Sequence, residues 1–258
     1  MTLRHTAGLG IALRACVARA VPGRSFAAFM RAIYPRIEAE LACVDAWAPR
    51  GGTAVDVGAW YGPWTASMCR MADQVVTIEP NPALARLLRA RFPAARVVEG
   101  AASDEEGTAP LWLPPGGRGA EGMASLERVR ERSVMVRRLT IDGLGLSNVR
   151  FVKMDVEGHE AAALRGAEQT IRRDSPLLLV EAETRYQPIE KLTGMLAEWG
   201  YQGSVLTGGS WVPLDGFDLT AHQHANAHLA ERGLLGRLAR PGERYVNTVL
   251  FRRHLVDG

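Results

Sequence analysis

The sequence lacks several features that would assign it to a common class of protein. No run of about 18 apolar residues occurs, so stable insertion into a membrane is not expected. The three cysteines, Cys16, Cys43 and Cys69, are scattered and show no C-x-x-C spacing. This excludes a disulfide framework and a cysteine zinc site, and it is typical of a reducing, cytoplasmic compartment. An apolar fraction of 47% is nevertheless enough for a buried core.

A concentrated basic surface is also missing from the body of the chain. Residues 1–37 hold six arginines and no acidic residue, whereas the remainder carries 25 basic and 28 acidic residues. A groove for nucleic acid needs clustered lysine and arginine to neutralise phosphates. We therefore expect no nucleic-acid partner.

The N-terminal part, residues 1–50, is expected to form a helical extension. Arg14 and Arg19 interrupt any apolar signal segment, so secretion is not expected. A membrane-surface or partner-binding helix is the alternative for this basic segment, and the extension could form a homodimer contact. Residues 26–47 show helical apolar spacing that Pro35 should break or kink.

Strands and helices alternate along residues 51–258, which we expect to form one domain. Five repeats of this alternation predict a parallel sheet with helices on both faces. The segment 110–126 is broken by proline and glycine and is expected to be a flexible excursion. The predicted strands are 53–58, 74–80, 95–103, 149–155, 176–183 and 245–253, and the predicted helices are 62–72, 81–92, 159–173 and 188–200.

Polar side chains follow successive predicted strands. In parallel sheets the ligand lies beyond the carboxyl ends of the strands, so these side chains should line one rim. They are Asp56, Glu79, Ser103, Asp155 and Glu181.

The first strand-to-helix turn, VDVGAWYG (55–62), lacks the G-x-G-x-x-G pattern of nicotinamide-binding proteins. Trp60 stands where the second glycine would let a pyrophosphate approach, and Asp56 would repel a phosphate. An oxidoreductase on this architecture is therefore disfavoured. A phosphate-free zwitterion that carries an ammonium and a sulfonium, such as S-adenosylmethionine, suits an acidic turn better.

Two further strand ends suit a nucleoside. Glu79 follows Asp56 by 23 residues, about the offset at which an acid accepts hydrogen bonds from ribose hydroxyls. Ser103 and Asp104, after the third strand, are suited to the edge of an adenine ring.

With these residues in place, the chain resembles the FkbM family of S-adenosylmethionine-dependent methyltransferases. K-x-D-V-E-G-x-E followed by LRGA is the most specific match. Trp60-Tyr61 departs from the family pattern, which usually has Asn-x before the second glycine. The matching segments are VDVGAWYGPWT (55–65), VVTIEPNP (75–82), EGAASDEEG (99–107), RRLTID (137–142), FVKMDVEGHEAAALRGA (151–167) and LLLVEAE (177–183).

The resemblance implies a doubly wound α/β fold with a mostly parallel, seven-stranded sheet of the class I methyltransferase type. It also implies methyl transfer to a hydroxyl oxygen, commonly on a polyketide or a sugar, so the expected partner is a small-molecule or glycan acceptor. Asp155 would lie beside the sulfonium. The cofactor-binding residues implied by position are Asp56, Gly58, Ala59, Tyr61, Glu79, Asn81, Ala102, Ser103, Asp104 and Asp155.

The segment KMDVEGHE (153–160) carries the candidate catalytic residues. An alcohol holds its proton tightly, so a positioned base should assist the in-line displacement. His159, whose ordinary pKa is about 6.5, is one candidate; Asp155 or Glu157 could instead take the proton or orient His159. Glu160 is better explained by a favourable interaction with a helix N-terminus.

A metal ion offers a second route to an activated acceptor. Asp155 ends the fourth strand, and Glu181 and Glu183 end the neighbouring fifth strand. Oxygen ligands that converge at this point suit Mg²⁺ or Ca²⁺, which would lower the pKa of the acceptor hydroxyl directly. Glu181 is therefore both a catalytic and a metal-binding candidate.

The segment 203–243 is expected to be a variable region on the acceptor side. Surface loops over a rigid sheet usually set specificity, and we predict substrate contacts from Trp211, His222 and His224. His224 and His228 are spaced i, i+4 in this segment, which is only a weak metal signal without a nearby carboxylate.

Two other functions remain open from the sequence. A non-catalytic module that only binds S-adenosylmethionine would keep the same pocket. A nucleic-acid methyltransferase would typically carry an NPPY-like loop after the fourth strand, where this chain has DVEG.

Overall fold

The structure is a computed structural model that describes residues 23–115, 120–127, 129–230 and 244–253. Predictions for residues 1–22, Cys16 among them, and for 231–243 lie outside the described residues. The N-terminal part begins with helix α1 (Gly23–Ile33), followed by a 3₁₀ turn (Tyr34–Arg36), α2 (Ala39–Ala42) and α3 (Val44–Trp47). Pro35 lies in the turn that ends α1, as predicted, because proline cannot continue the helical hydrogen bonds.

Eleven strands follow among the described residues, in two sheets. They are β1 (Thr53–Val57), β2 (Gln74–Glu79), β3 (Arg96–Glu99), β4 (Ala101–Ala102), β5 (Gly107–Leu113), β6 (Arg132–Leu139), β7 (Val149–Met154), β8 (Leu177–Glu181), β9 (Tyr201–Thr207), β10 (Ser210–Pro213) and β11 (Thr248–Arg253). The helices between and after them are α4 (Pro63–Met71), α5 (Pro82–Arg91), α6 (Glu160–Arg165), α7 (Glu168–Asp174), α8 (Ile189–Glu198), α9 (Leu219–Ala225) and α10 (Ala227–Ala230).

The main sheet has the strand order β10-β9-β11-β8-β7-β1-β2-β3. The pairs from β3 to β8 are parallel, and β11 runs antiparallel to both of its neighbours, β8 and β9. This confirms the mostly parallel α/β sheet that the sequence predicted. The sheet has eight strands where seven were expected, because Gly208 and Gly209 take left-handed backbone conformations that fold β10 back on β9 as a hairpin.

The sheet is covered on both faces, and alternate residues of its strands point to opposite sides. Phe151 packs with Trp64 and Met68 in one hydrophobic cluster, whereas its neighbour Val152 packs with Leu164 in the other. Helices therefore flank both faces, as in doubly wound folds.

Two sequence predictions in the middle of the chain were wrong. The single strand predicted over 95–103 divides at Gly100, and β4 leaves the main sheet to form a second sheet with the order β4-β6-β5. Residues 110–113 of the predicted flexible excursion belong to β5; Pro110 is tolerated there because β5 is an edge strand.

The helix predicted over 159–173 is also divided, into α6 and α7. The break lies at Gly166, where an added Cβ would lie 1.8 Å from the carbonyl oxygen of Ser103. Glycine is therefore needed where α6 ends, because the chain there packs closely against the segment after β4. Within the described residues, no helix combines the length and the apolar character needed to cross a membrane.

Candidate functional site

A cavity of about 720 Å³ lies at the carboxyl ends of β1, β2, β7 and β8. Glu79, Asp155 and Glu181 of the predicted rim line it, together with Gly58 and Ala102. The segment from Tyr34 to Ala42 forms much of the opposite wall. The site is thus built between the sheet and the N-terminal helices.

Gly58 brings the turns after β1 and β7 into direct contact. Its backbone is left-handed, with φ +79°, and an added Cβ would lie 1.8 Å from the carbonyl oxygen of Asp155. Only glycine fits this position, because a side chain would collide with the neighbouring backbone. The close approach places Asp155 beside the first strand-to-helix turn.

Glu79 connects the ends of β1 and β2. Its Oε2 accepts a hydrogen bond from the backbone N–H of Trp60 at 2.8 Å, and its Oε1 accepts one from the N–H of Asn81 at 2.9 Å. The side chain is buried, and burial is the largest influence on its pKa, which is raised to about 7 despite the two backbone donors. The carboxylate is held rigidly at the cavity wall.

Asp56 lies beneath the cavity and does not line it. Its carboxylate accepts a hydrogen bond from the Thr65 hydroxyl at 2.5 Å, which joins β1 to α4. Burial raises the pKa of Asp56 to about 6. The structure therefore gives Asp56 a packing partner inside the protein and no direct access to a ligand in the cavity.

Several other predicted cofactor residues have internal partners. Asn81 caps α5, as predicted, by accepting a hydrogen bond from the N–H of Ala83 at 3.0 Å. Asp104 forms an ion pair with Arg165 at 2.8 Å. Of the predicted cofactor-binding set, the residues whose atoms do not line the cavity are Asp56, Ala59, Tyr61, Asn81, Ser103 and Asp104.

Three carboxylates converge at the ends of β7 and β8. One ligand oxygen from each of Asp155, Glu157 and Glu181 lies within 4.8 Å of the others. We call this group the carboxylate cluster. Glu183, which the sequence suggested as a metal ligand, lies outside it: its Oε2 pairs with Arg185 at 2.8 Å and accepts a hydrogen bond from the Tyr245 hydroxyl at 2.8 Å.

Asp155 of the carboxylate cluster forms an ion pair with a buried lysine that sequence reasoning missed. The Nζ of Lys153 lies 3.2 Å from Oδ2 of Asp155, and the lysine is 2% exposed. Burial alone would lower the Lys153 pKa, but the charges of Asp155, Glu38 and Glu181 raise it above its usual value. A lysine inside a buried strand was the available signal, since such a charge needs a partner.

Glu160 belongs to the loop and helix, as the sequence indicated. Its Oε1 accepts hydrogen bonds from the N–H groups of Val156 at 3.1 Å and Gly158 at 3.2 Å, and its Oε2 accepts one from Gln187 at 2.8 Å. These bonds fix the loop that presents Glu157, whose backbone is left-handed with φ +55°.

His159 lines the cavity within a chain of polar side chains. Its Nε2 lies 3.0 Å from the Ser103 hydroxyl, and its Nδ1 lies 2.6 Å from Oε1 of Glu127. Both ring nitrogens thus have partners, which fix the ring orientation. The arrangement connects the cavity to the more exposed Glu127.

The three predicted substrate residues do not line the cavity. Trp211 packs edge-on against Trp47, with ring centroids 5.5 Å apart, and His224 is exposed. The Nε2 of His222 accepts a hydrogen bond from the N–H of Val246 at 3.2 Å, and burial lowers its pKa. Trp211 and His222 therefore support the fold in this region.

A different set of residues from the C-terminal part faces the cavity. The Nη2 of Arg244 lies 2.9 Å from each carboxylate oxygen of the buried Glu40, and both residues line the cavity. Tyr245 and Asn247 lie nearby on the same wall. Sequence reasoning missed these residues because no local pattern marks a contact between segments 204 positions apart.

Comparison with known protein families identifies the family to which the chain belongs. The model of the methyltransferase FkbM domain matches residues 50–203, which is more than half of the chain. The protein belongs to the FkbM methyltransferase family. This confirms the resemblance predicted from the sequence segments.

Solved structures show only distant similarity. The FkbM methyltransferase from Methylobacillus flagellatus KT is 19% identical with a TM-score of 0.48, over 68% of this chain and 46% of its own. SMU.1697c from Streptococcus mutans, solved in complex with SAH, is 7% identical with a TM-score of 0.46, over 85% of this chain and 98% of its own. No curated protein matches the sequence. The chain spans less than half the length of the Methylobacillus protein, and the family assignment therefore rests on the family model.

Proposed function

We propose that the protein is an S-adenosylmethionine-dependent O-methyltransferase that acts on a hydroxyl group of a small molecule or glycan. The observation that carries this proposal is the position of the carboxylate cluster in the same cavity as Gly58 and Glu79. A donor held by the first two strand ends would direct its methyl group towards those carboxylates. The cavity thus offers a donor side and an acidic acceptor side.

On the donor side, we assign Glu79 to the ribose hydroxyls of S-adenosylmethionine. Each of its oxygens already accepts one backbone N–H and retains a lone pair for a ribose hydroxyl. Gly58 lets the Asp155 backbone pack against the turn after β1, and Asp155 offers a negative charge to the sulfonium. Ala102 contributes an apolar wall on the side expected for the adenine ring.

On the acceptor side, the carboxylates supply the basic chemistry that an alcohol needs. The hydroxyl proton must leave as the oxygen attacks the methyl group in line with the departing sulfur. Asp155, Glu157 and Glu181 lie where they can receive or orient that proton, and His159 connects the cavity to Glu127. The polar wall formed by Arg244, Tyr245 and Asn247 favours a polyhydroxylated acceptor such as a sugar over an apolar polyketide.

The test is a turnover screen with S-adenosylmethionine that carries a ¹³C-labelled methyl group. We expect mass spectrometry to find labelled methyl on oxygen in one or more members of a panel of glycans and hydroxylated natural products. Asp155→Asn should reduce turnover by about 10²–10⁴-fold while retaining SAH binding. Tight donor binding without methylation of any acceptor would instead indicate a non-catalytic binding module, and methyl transfer to nitrogen alone would refute the assignment to oxygen.

Donor affinity is expected to fall as the pH is lowered through about 7. Burial raises the pKa of Glu79 to about 7, and ribose hydroxyls donate to the ionised carboxylate. Below that pH the affinity for SAH should fall by up to about ten-fold per pH unit, because binding must displace a proton. Calorimetry between pH 5.5 and 8.5 measures the slope.

The matched control for this pH dependence is Glu79→Gln, whose affinity should be weaker and nearly flat over the same range. The raised pKa of Glu79 has the opposite effect on the stability of the folded protein. A buried acid with a raised pKa contributes stability at low pH, and this contribution is lost as the pH rises through about 7. An equal pH slope in Glu79→Gln would show that another group controls donor binding.

A further inference from the structure

The carboxylate cluster brings three acidic side chains together beside a buried lysine. Asp155, Glu157 and Glu181 bring one oxygen each within 4.8 Å of the others. The Nζ of Lys153 lies 3.2 Å from Oδ2 of Asp155, and the charge of Arg185 acts on Glu157. The three oxygens are therefore close enough together to bind the same cation.

One member of the cluster has a buried oxygen with no partner. Glu181 is only 8% exposed, and its Oε1 accepts a hydrogen bond from the Asn247 side chain at 2.7 Å. Its Oε2 is buried and has no hydrogen-bond partner among the described residues. A buried carboxylate oxygen without a donor is destabilising, so its position at the cavity wall indicates a ligand that the protein itself does not supply.

The donor set identifies the chemical class of that ligand. Carboxylate oxygens on a rigid strand end and on the neighbouring loop are hard ligands of the kind that Mg²⁺, Mn²⁺ and Ca²⁺ prefer. No cysteine or histidine belongs to the cluster, which disfavours zinc. The cavity leaves space for water and for an acceptor oxygen in the remaining coordination positions.

We infer that Asp155, Glu157 and Glu181 form a binding site for one divalent cation of the Mg²⁺ or Mn²⁺ type. The ligand set differs from the one the sequence suggested, because Glu157 takes the place of Glu183. Binding of the cation depends only on the cluster. Its use in catalysis, by lowering the pKa of a coordinated acceptor hydroxyl, rests on the proposed function.

The experiment measures Mn²⁺ binding to the full chain by electron paramagnetic resonance at pH 8, without donor or acceptor. We expect one Mn²⁺ per chain, displaced by Mg²⁺, with affinity at least about ten-fold weaker in Glu181→Gln and in Glu157→Gln. Glu183→Gln is the matched control, since it changes an adjacent buried acid outside the cluster, and it should leave Mn²⁺ affinity within about three-fold of wild type.

Two results would overturn the inference: no saturable binding up to about 10 mM Mn²⁺, or an equal loss of affinity in Glu183→Gln and Glu181→Gln. Far-ultraviolet circular dichroism checks that the variants fold. If Glu181→Gln does not fold, the half-buried Glu157→Gln and Mn²⁺-dependent thermal stabilisation of the wild type decide the question. SAH affinity is measured separately, so failure of cation binding does not disturb the proposed methyl transfer, and loss of SAH binding does not disturb the cation site.

Discussion

Replacing Glu79 by alanine is expected to lower affinity for S-adenosylmethionine and SAH by about 100-fold or more. The donor would lose the proposed hydrogen bonds from its two ribose hydroxyls to the Glu79 carboxylate, and bonds to a charged group contribute about 1.5–3 kcal/mol each. The N–H groups of Trp60 and Asn81 would also lose their acceptor, at 2.8 Å and 2.9 Å respectively. The turn after β1 would then be less well fixed for the donor.

Isothermal titration calorimetry with SAH at pH 8 measures this loss directly. Glu99→Ala is the matched control, because Glu99 is the register partner of Glu79 on the adjacent strand and forms an exposed ion pair with Arg89 outside the cavity. Its affinity should remain within about two-fold of wild type. If Glu79→Ala binds SAH as tightly as Glu99→Ala does, Glu79 does not hold the ribose and the donor lies elsewhere.

Replacing Lys153 by methionine is expected to destabilise the protein by about 3–5 kcal/mol at pH 8, because buried carboxylates would lose their shared counter-charge. The ammonium lies 3.2 Å from Asp155, and the charges of Glu38 and Glu181 also act on it. Methionine keeps the length of the side chain, so the change mainly removes charge.

The destabilisation caused by Lys153→Met should be smaller at pH 6 than at pH 8. Burial raises the pKa of Glu38 to about 7, and Lys153 opposes that rise. Without the lysine, the neighbouring acids should take up protons more readily as the pH falls, which relieves their repulsion. Urea unfolding at both pH values measures the difference.

Lys191→Met, on the exposed surface of α8, is the control for the loss of a lysine charge. It should change the free energy of unfolding by no more than about 0.5 kcal/mol at either pH. Equal destabilisation by the two substitutions would mean that Lys153 does not stabilise the acidic site.

The ends of several helices could be predicted from the sequence. Pro35 ends a helix, Asn81 caps another, and Glu160 stands in the first turn of α6. Each of these effects depends on a few neighbouring residues and on fixed backbone chemistry. The parallel direction of the central strands followed from the alternation of strands and helices along the chain.

The division of the predicted third strand at Gly100 and the three-stranded second sheet could not be predicted from the sequence. Both depend on contacts between segments that are distant along the chain. An added Cβ at Gly100 would lie 2.8 Å from the Leu139 side chain, a packing contact that its neighbours in sequence do not reveal. The edge position of Pro110 likewise depends on β6, about twenty-five residues later.

The sequence by itself determined the sheet, the family and the acidic character of the strand ends. Only the tertiary structure decided which acids meet: Glu157 joins the carboxylate cluster because its left-handed backbone redirects the loop, whereas Glu183 is held by Arg185 and Tyr245. It also turned Asp56 towards Thr65 and brought Arg244 to Glu40. The physical reason is that backbone preference and apolar spacing act locally, whereas the partner of a buried charge is set by long-range packing.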